Sequence, residues 1–595
     1  MNTGAPDLAH GPSQDLTPAP SGQAAIVLLG LAASLALLAL NEGWLPWRDP
    51  RALCLAYTLA LAPPLGAALL LRRARDAHAW LCALAVALVW GALAWHEGGM
   101  TLPTTPPARP QPGEWNYAWT GAVALFIALA FAGASRAPRR LAYPALYAVA
   151  WDHALALVVA LVFTGMGWLL LWLWSGLFKV IGITLFAEVF FDACFAHPAT
   201  GVLFGLGLTL GRSQAGVIRA LLRVCLALGT VLLPLIALVG LSFALALPFT
   251  GLEGLWNTRR AAALLITLVL GTVALTNAVF QDGAQGDPPY PRWLRWVVNG
   301  ALAVLPVFAA LALLAFSMRV RQYGWSVDRL FGVLVAGVAM LYAAGYALAL
   351  VARSGTWLRL AAPVNVVAAL ALIVGLLASH APGTDFRVHA ARSQLAQALR
   401  DPTRADIEYL RWQLGQPGTA ALRALEADPA LAAHPDVRAA IRLELARTER
   451  WGGNAKAALD DLEQRMAVFP RDAAVPSGLW EALRTSLAGH ERSVLSQCKP
   501  TTCALLGVDL DRDGAQEWAL LHDPDLYGES WVFSSAAGAW KKVGELTPYP
   551  TRTSKDWSAM RESLTGGTWR TEPSRFDMLS IGGQTLVVAP VLPAD

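Results

Sequence analysis

Long apolar runs occupy most of residues 24–378 and constrain the fold more than any other feature of the sequence. A helix needs roughly 20 apolar residues to cross a hydrocarbon core of about 30 Å, with about 17 as the short limit. Eleven runs approach or exceed that length, the sixth only if it begins earlier than residue 198. The sequence therefore predicts a mostly α, polytopic membrane domain of about 11 transmembrane helices. The runs cover 24–40, 52–71, 79–95, 115–134, 152–174, 198–211, 222–246, 261–280, 297–316, 330–351 and 360–378.

The composition changes after the last apolar run. Overall the chain is 55% hydrophobic and 15% charged, whereas soluble domains carry about 25% charged residues. Residues 385–595 have an ordinary globular composition, which predicts an extramembrane part. Residues 1–23 are rich in Pro, Ser, Gly and Asp and lack Lys and Arg, so they predict a disordered cytoplasmic tail instead of a secretory signal.

Arginines are distributed unevenly around the apolar runs and indicate the orientation. The clusters after the second, fourth and sixth runs fall on one side, which the positive-inside rule identifies as cytoplasmic. With an odd number of crossings, the C-terminal part then lies outside the cytoplasm. Other basic residues, among them Lys179 and Arg259, oppose this bias. The supporting clusters are Arg72, Arg73 and Arg75; Arg136, Arg139 and Arg140; and Arg212, Arg219 and Arg223.

Charge balance and short motifs argue against several classes of function. Lys and Arg number 46 against 42 Asp and Glu, a near balance that predicts no nucleic-acid partner. The sequence contains no P-loop, no HExxH zinc helix and no GxSxG nucleophile turn. Gly205, Gly207 and Gly211 have the spacing GxGxxxG inside an apolar run, which favours close helix packing over nucleotide binding.

The apolar segment 175–197 carries acidic residues. Glu188 and Asp192 are four positions apart and would share one face of a helix. The segment predicts an amphipathic helix lying on the outer leaflet, with these residues at the lipid surface. The alternative is a carboxylate pair in an ion or substrate path, because charged groups at membrane depth are costly and tend to be functional.

The segment 317–329 connects the ninth and tenth runs on the predicted outer side. It contains Arg319, Arg321, Asp328 and Arg329. Arginines on this side oppose the positive-inside rule, so they require a compensating partner. Anionic lipid headgroups, pairing with Asp328 and a bound anionic substrate are the alternatives, which makes all four residues candidate lipid or substrate contacts.

The extramembrane part divides into a helical and a β-rich segment. Over 385–490, apolar residues at helical spacing and stops such as Gly415 predict an α-helical domain. Over 496–595, short β-prone runs separated by Gly and Asp turns predict a small β-rich domain.

The stretch GVDLDRDGAQEW, 507–518, places aspartates at alternating positions before a glycine. An EF-hand would need Glu at the twelfth position of this loop, which is a leucine here, so that motif is excluded. Alternating carboxylates at a glycine turn can still surround a hard cation, and we predict Asp509, Asp511, Asp513 and Glu517 as calcium ligands. The alternative is an Asx-rich turn without a metal.

Two cysteines in a polar context precede this turn. Cys498 and Cys503 are close enough in sequence to close a small disulfide, which would require an oxidising compartment. The cysteine pair, the calcium-type turn and the helix parity together predict a periplasmic location for the C-terminal part.

Several stretches, in their order along the chain, are similar to a known family. LFKVIGI, FGLGL, MRVRQYGWSVDR, YLRWQLGQPGTAALRAL and DLDRDGAQEW occur across residues 140–595. They resemble the bacterial membrane proteins grouped as domain of unknown function 4153. The resemblance implies a multi-pass protein of the inner membrane of a Gram-negative bacterium, and it implies no catalytic residues.

Two classes of function are open at this stage. The first, which we favour, is a non-enzymatic envelope protein whose partners are the lipid bilayer and a periplasmic protein, with calcium as the candidate cofactor. The second is a transporter or membrane enzyme for a lipid-linked or anionic substrate, which would use Glu188 and Asp192 with the arginines of 317–329.

Overall fold

The structure is a computed structural model of the chain. It divides into two compact units, one ending at Leu445 and one beginning at Ala446. Pro20–Gln23 already belong to the first helix, whereas most of the predicted disordered tail lies outside the described residues. The described residues are 17–45, 47, 49–102, 112–136, 143–253, 255, 260–283, 288–352, 357–447, 462–471, 473–485, 495, 498, 501–523, 530–536, 539–546, 556–571, 579–581 and 584–586.

Eleven helices in the described part of the chain are long and apolar enough to cross a membrane, which confirms the predicted polytopic α-helical class. The sixth begins at Ala193, well before the predicted start, and so reaches sufficient length. The spans are α1 (Pro20–Asn41), α2 (Pro50–Leu70), α3 (Ala77–Met100), α4 (Pro112–Ala134), α5 (Tyr143–Val180), α7 (Ala193–Ser213), α8 (Ala215–Thr250), α9 (Ala261–Phe280), α10 (Arg292–Tyr323), α11 (Val327–Val351) and α12 (Ala361–Ala378). The short α6 (Leu185–Phe191) lies between α5 and α7.

Polar side chains cap the starts of several spans. Asp49 accepts a hydrogen bond from the backbone N–H of Arg51 at the start of α2, and Asp76 accepts one from Ala79 at the start of α3. Each cap satisfies a donor that the first turn of a helix leaves unpaired. The capped helices then present apolar surface to their neighbours and to lipid.

Glycines of α7 bring this helix close to both α1 and α5. A Cβ atom added at Gly201 would overlap the carbonyl oxygen of Gly30 in α1, and one added at Gly207 would lie 2.8 Å from the Cα of Ala160 in α5. Only residues without bulky side chains allow helix backbones to approach so closely. The close-packing interpretation of the glycine run is confirmed.

Successive spans run in opposite directions. The C-terminal ends of every second span therefore lie at the same end of the bundle. At the end where α2, α4 and α7 finish, which we call the arginine end, Arg136 bonds to Asp76 at 3.0 and 3.2 Å. Arg212 donates to the carbonyl oxygen of Ala68 at 2.6 Å at the same end. Asp76 also accepts from the backbone N–H of Arg72 at 3.1 Å, so members of all three arginine clusters that support the predicted orientation lie at one end. The helices α3, α10 and α12 finish at the opposite end.

The helices that follow α12 pack against the spans within the first unit. A core of apolar residues, including Leu410, Leu422 and Ile441, joins them to Val327 of α11. Gly415 has a positive φ of 64° and precedes the helix that begins at Gln416, as the predicted helix stop requires. The first part of the predicted 385–490 segment thus shares the compact unit of the membrane helices. Its elements are α13 (Phe386–Ala398), a π-helical turn (Tyr409–Gln413), α14 (Gln416–Glu426) and α15 (Pro435–Ala446).

The second unit contains a small β-sheet, which confirms the predicted β-containing C-terminal domain. Five strands lie side by side in their order along the chain, the first two parallel and the other neighbours antiparallel. Trp518, Phe533 and Leu505 are buried in its core. Its elements are α16 (Leu462–Arg465), β1 (Ala467–Phe469), α17 (Ser477–Thr485), β2 (Cys503–Val508), β3 (Glu517–His522), β4 (Ser530–Ala536), β5 (Ala539–Leu546), α18 (Asp556–Gly566), β6 (Leu579–Ile581) and β7 (Gln584–Leu586).

A buried charged cluster as the candidate functional site

Glu97 is a fully buried carboxylate near the C-terminal end of α3. An isolated charge in such a position would be costly, so it requires a cation and hydrogen-bond donors. Arg387, at the start of α13, supplies both through two bonds of 2.7 Å, from Nη1 to Oε1 and from Nη2 to Oε2. This bidentate geometry is the strongest common form of carboxylate recognition. The pair fastens α13 to α3.

Asp385 extends the cluster from the start of α13. Its carboxylate caps the helix by accepting from the backbone N–H of Arg387 at 2.8 Å, and it also bonds to the Arg387 guanidinium at 2.8 and 3.2 Å. His96 Nε2 lies 3.1 Å from Oδ2. Burial by itself raises the pKa of Asp385, but the hydrogen bonds from His96 and Arg387 hold it well below its usual range. Asp385 is therefore ionised at neutral pH.

His380 links the cluster to a further span. Its Nδ1 lies 3.1 Å from Glu97 Oε2, and its Nε2 lies 2.9 Å from the hydroxyl oxygen of Thr120 in α4. The ring also meets Tyr117 edge-on, with 5.5 Å between ring centroids. We call the five residues Glu97, Asp385, Arg387, His96 and His380 the clasp.

The order Thr120, His380, Glu97 is the order of hydroxyl, imidazole and carboxylate in a nucleophilic triad. Two observations oppose a catalytic role. The Thr120 side chain is buried and its hydroxyl donates to the carbonyl oxygen of Asn116 at 2.6 Å, so it is not directed at a substrate. Glu97 is bound at both oxygens by Arg387. The clasp therefore fits a lock between elements better than a reaction centre.

The predicted calcium ligands lie in the turn between β2 and β3. Carboxylate oxygens of Asp509, Asp511 and Glu517 lie within 4.8 Å of one another, so the structure brings three of the four together. Asp513 is outside this group, and its Oδ1 accepts the backbone N–H of Ala515 at 2.7 Å. Backbone N–H groups also donate to the carboxylates of Asp509 and Glu517. Each carboxylate group has about four lone-pair sites, so sites remain free to bind a hard cation.

The two cysteines before this turn are joined in the structure. Cys498 and Cys503 form a disulfide whose Cα atoms are 5.3 Å apart. Both residues are buried in the apolar core beside Leu495 and Trp480. The predicted Cys498–Cys503 pairing is present in the structure.

Glu188 and Asp192 do not share a helix face, and that prediction was wrong. Helix α6 ends at Phe191, and Asp192 accepts the backbone N–H of Cys194 at 2.8 Å as the N-cap of α7. An aspartate favours this capping position because its side chain satisfies a free N–H group, and the cap separates the two helices. Both carboxylates are exposed.

The predicted loop 317–329 is mostly helical. Helix α10 continues to Tyr323, so that only Gly324–Ser326 separate it from α11. Arg329 Nη1 donates to the carbonyl oxygens of Tyr323 at 3.1 Å and Gly324 at 2.7 Å. Arg329 therefore caps the C-terminal end of α10. The other predicted contact residues are Arg319 and Arg321 in the last turns of α10 and Asp328 in the first turn of α11.

Sequence reasoning missed the clasp. The third apolar run ends at residue 95 and the eleventh at residue 378, so His96, Glu97 and His380 lie just outside the predicted spans. The sequence did contain a signal for this site. Two ionisable residues, His96 and Glu97, occur side by side in the stretch WHEGGM, and α3 continues through this stretch to Met100. Its partners could not be assigned, since 283 and 290 residues separate Glu97 from His380 and Arg387.

Comparisons with known proteins do not assign the clasp. No protein-family model, no curated protein and no solved structure matches the chain. The function has to be argued from the geometry of the chain itself.

Proposed function

We propose that the chain is a multi-pass anchor of a bacterial inner membrane that presents its C-terminal part to another envelope protein outside the cytoplasm. The clasp is the observation that carries this proposal. It ties α13, the first helix after the last span, to α3 through buried charges. Removing one partner of a buried ion pair typically costs about 3–5 kcal/mol. A helix held so firmly on the membrane domain suits a platform for an attached partner.

Three features support the non-cytoplasmic side. The number of candidate spans in the described residues is odd. The arginine end lies opposite the clasp, and the positive-inside rule assigns such an end to the cytoplasm. A disulfide between Cys498 and Cys503 is favoured in an oxidising compartment. The inner membrane itself follows from the resemblance to domain of unknown function 4153, which stays a prediction.

Calcium at the β2–β3 turn forms part of the same proposal. It rests on the carboxylates of Asp509, Asp511 and Glu517, which lie close together. Calcium at about 10⁻³ M, in the range of extracellular sites, should raise the apparent melting temperature of the purified protein. Asp511→Asn should remove that increase, while Asp513→Asn, outside the group, should retain it. A full response kept by Asp511→Asn would leave the turn without a metal role.

The anchor proposal is tested by complementation of a strain that lacks the protein. Deletion of 385–595 should abolish complementation. Full-length protein should still complement when alanine replaces the exposed or loop-proximal charged residues Glu188, Asp192, Arg319, Arg321, Asp328 and Arg329. Immunoblots should show that every variant accumulates to a similar level. The reverse pattern would favour a transporter or a membrane enzyme that acts on a lipid-linked or anionic substrate.

A further inference from the structure

The hydrogen bonds of the Thr120 hydroxyl show whether Thr120 or His380 donates in the contact between them. A hydroxyl has one hydrogen and two lone pairs. Thr120 lies 2.6 Å from the carbonyl oxygen of Asn116, one helical turn earlier, and 2.9 Å from His380 Nε2. A helical threonine commonly donates to that carbonyl. Its hydrogen is then used, and the contact with His380 requires a hydrogen on Nε2.

The opposite nitrogen of the same ring faces a group that can only accept. His380 Nδ1 lies 3.1 Å from Glu97 Oε2, and Arg387 holds both oxygens of that carboxylate. A bidentate guanidinium keeps a carboxylate ionised, and an ionised carboxylate has no hydrogen to donate. Nδ1 must therefore carry a hydrogen as well.

We infer that His380 is held as an imidazolium in the folded protein, and that the clasp is consequently a proton-dependent lock between α13 and the membrane helices. The inference uses the clasp on which the proposed anchor rests, but it assigns to it a dependence on pH that an anchor does not need. A histidine is the side chain whose charge ordinarily changes between pH 5 and 8.

The charges around His380 favour the extra proton. Without it, the carboxylates of Glu97 and Asp385 face the single guanidinium of Arg387, and a buried excess of negative charge is costly. An imidazolium balances the cluster. The other titratable groups on the packed elements are His96 from α3, Cys54 from α2, and Tyr117 and Glu114 from α4. Thr120 from α4 also contacts His380, and the ring centroid of Phe331 from α11 lies 6.3 Å from that of His380.

The direction of the pH dependence follows from proton linkage. The packed clasp binds a proton at His380 more tightly than the released clasp does. Protonation of His380 therefore stabilises the attachment of α13. This stabilisation is lost as the pH rises and the proton dissociates. Alkaline conditions should therefore loosen α13, and acidic conditions within the histidine range should hold it.

The protonation state can be observed directly by nitrogen NMR of the full-length protein, labelled with ¹⁵N-histidine in lipid vesicles near neutral pH. The signals that disappear in His380→Gln should come from two protonated ring nitrogens. Loss of one signal from an unprotonated ring nitrogen would overturn the inference. His389→Gln changes an exposed histidine of α13 and serves as the matched control.

Hydrogen exchange of α13 provides a second test that does not depend on His380→Gln folding. After correction for the intrinsic pH dependence of exchange, protection of α13 should fall about tenfold or more as the pH rises, the value expected for one hydrogen bond to a charged group. Thr120→Val should move the midpoint to lower pH, because it removes the acceptor of the imidazolium.

A shift of that midpoint to higher pH would overturn the inference, since Thr120 would then have been donating to a neutral ring. Either negative result would leave the complementation test of the anchor unaffected, so failure of the proton lock and failure of the anchor are distinguishable.

Discussion

Arg387 donates to two carboxylates at once, so its loss leaves Glu97 and Asp385 buried without the guanidinium that pairs with both. We expect Arg387→Met to lower the free energy of unfolding by about 3–5 kcal/mol, as for other broken buried ion pairs. The measurement is the apparent melting temperature of the protein in detergent micelles. Arg392→Met, on the exposed side of α13, is the matched control and should melt like the wild type. Equal melting of both variants would show that the clasp contributes nothing.

Asp385 predicts an acid limit to the same cluster. Its pKa is held below the ordinary value because the bonds from His96 and Arg387 outweigh the effect of burial. The stabilisation from Asp385 is complete above its unfolded pKa of about 3.9 and is lost as the pH falls toward its folded value. The melting difference between wild type and Asp385→Asn should be largest above about pH 5 and shrink below it. A difference that grows with acidity would contradict this assignment.

Which charged residues matter could be predicted only in part from the sequence. Glu188 and Asp192 interrupt an apolar run in the sequence, yet both are exposed in the structure. Glu97 is less conspicuous in the sequence, but Arg387 and His380, which follow the last span along the chain, both contact it. Burial and pairing arise from contacts between distant segments, which periodicity and composition do not encode.

At the scale of elements, hydropathy located every predicted span but set several ends too early. The third run was predicted to end at 95 and the ninth at 316, whereas α3 reaches Met100 and α10 reaches Tyr323. An apolar run ends where the chain leaves the hydrocarbon core. The helix can continue beyond that point, because its backbone hydrogen bonds do not require apolar side chains. The clasp lies in such an extension.

The contact of α7 with α1 makes a prediction at this scale. Gly201→Ala would place a methyl group against the carbonyl oxygen of Gly30, so the helices must separate. Overpacking of this kind costs about 1–3 kcal/mol. Gly165→Ala in α5 points into open space and is the control. We expect a lower apparent melting temperature for the first variant alone, and an unchanged value for Gly201→Ala would mean that α1 and α7 pack less closely than the structure indicates.

For the whole molecule, independent contacts agree with the span count within the first unit. If eleven helices alternate in direction, the ends of α3, α10 and α12 meet at one end of the bundle. His96 bonds to Asp385 there, and Gln394 of α13 bonds to the carbonyl oxygen of Tyr323. One missing or additional crossing between α3 and α12 would have separated these residues by the thickness of a membrane. The number of crossings between these two helices is therefore supported by side-chain contacts as well as by hydropathy, and α1 and α2 complete the odd total.

The orientation of this bundle gives the prediction that most affects the proposed function. Reporter fusions after residues 380 and 595 should both report a non-cytoplasmic position, because the arginine end is expected to face the cytoplasm. After denaturation, Cys498 and Cys503 should react with a thiol reagent only if the protein is also reduced, in a variant whose other cysteines, Cys54, Cys82, Cys194 and Cys225, are replaced by alanine. Cytoplasmic reporter signals together with free thiols would show that the orientation is the opposite of the proposed one. They would also leave extracellular-type calcium binding without its compartment and would make a periplasmic partner untenable.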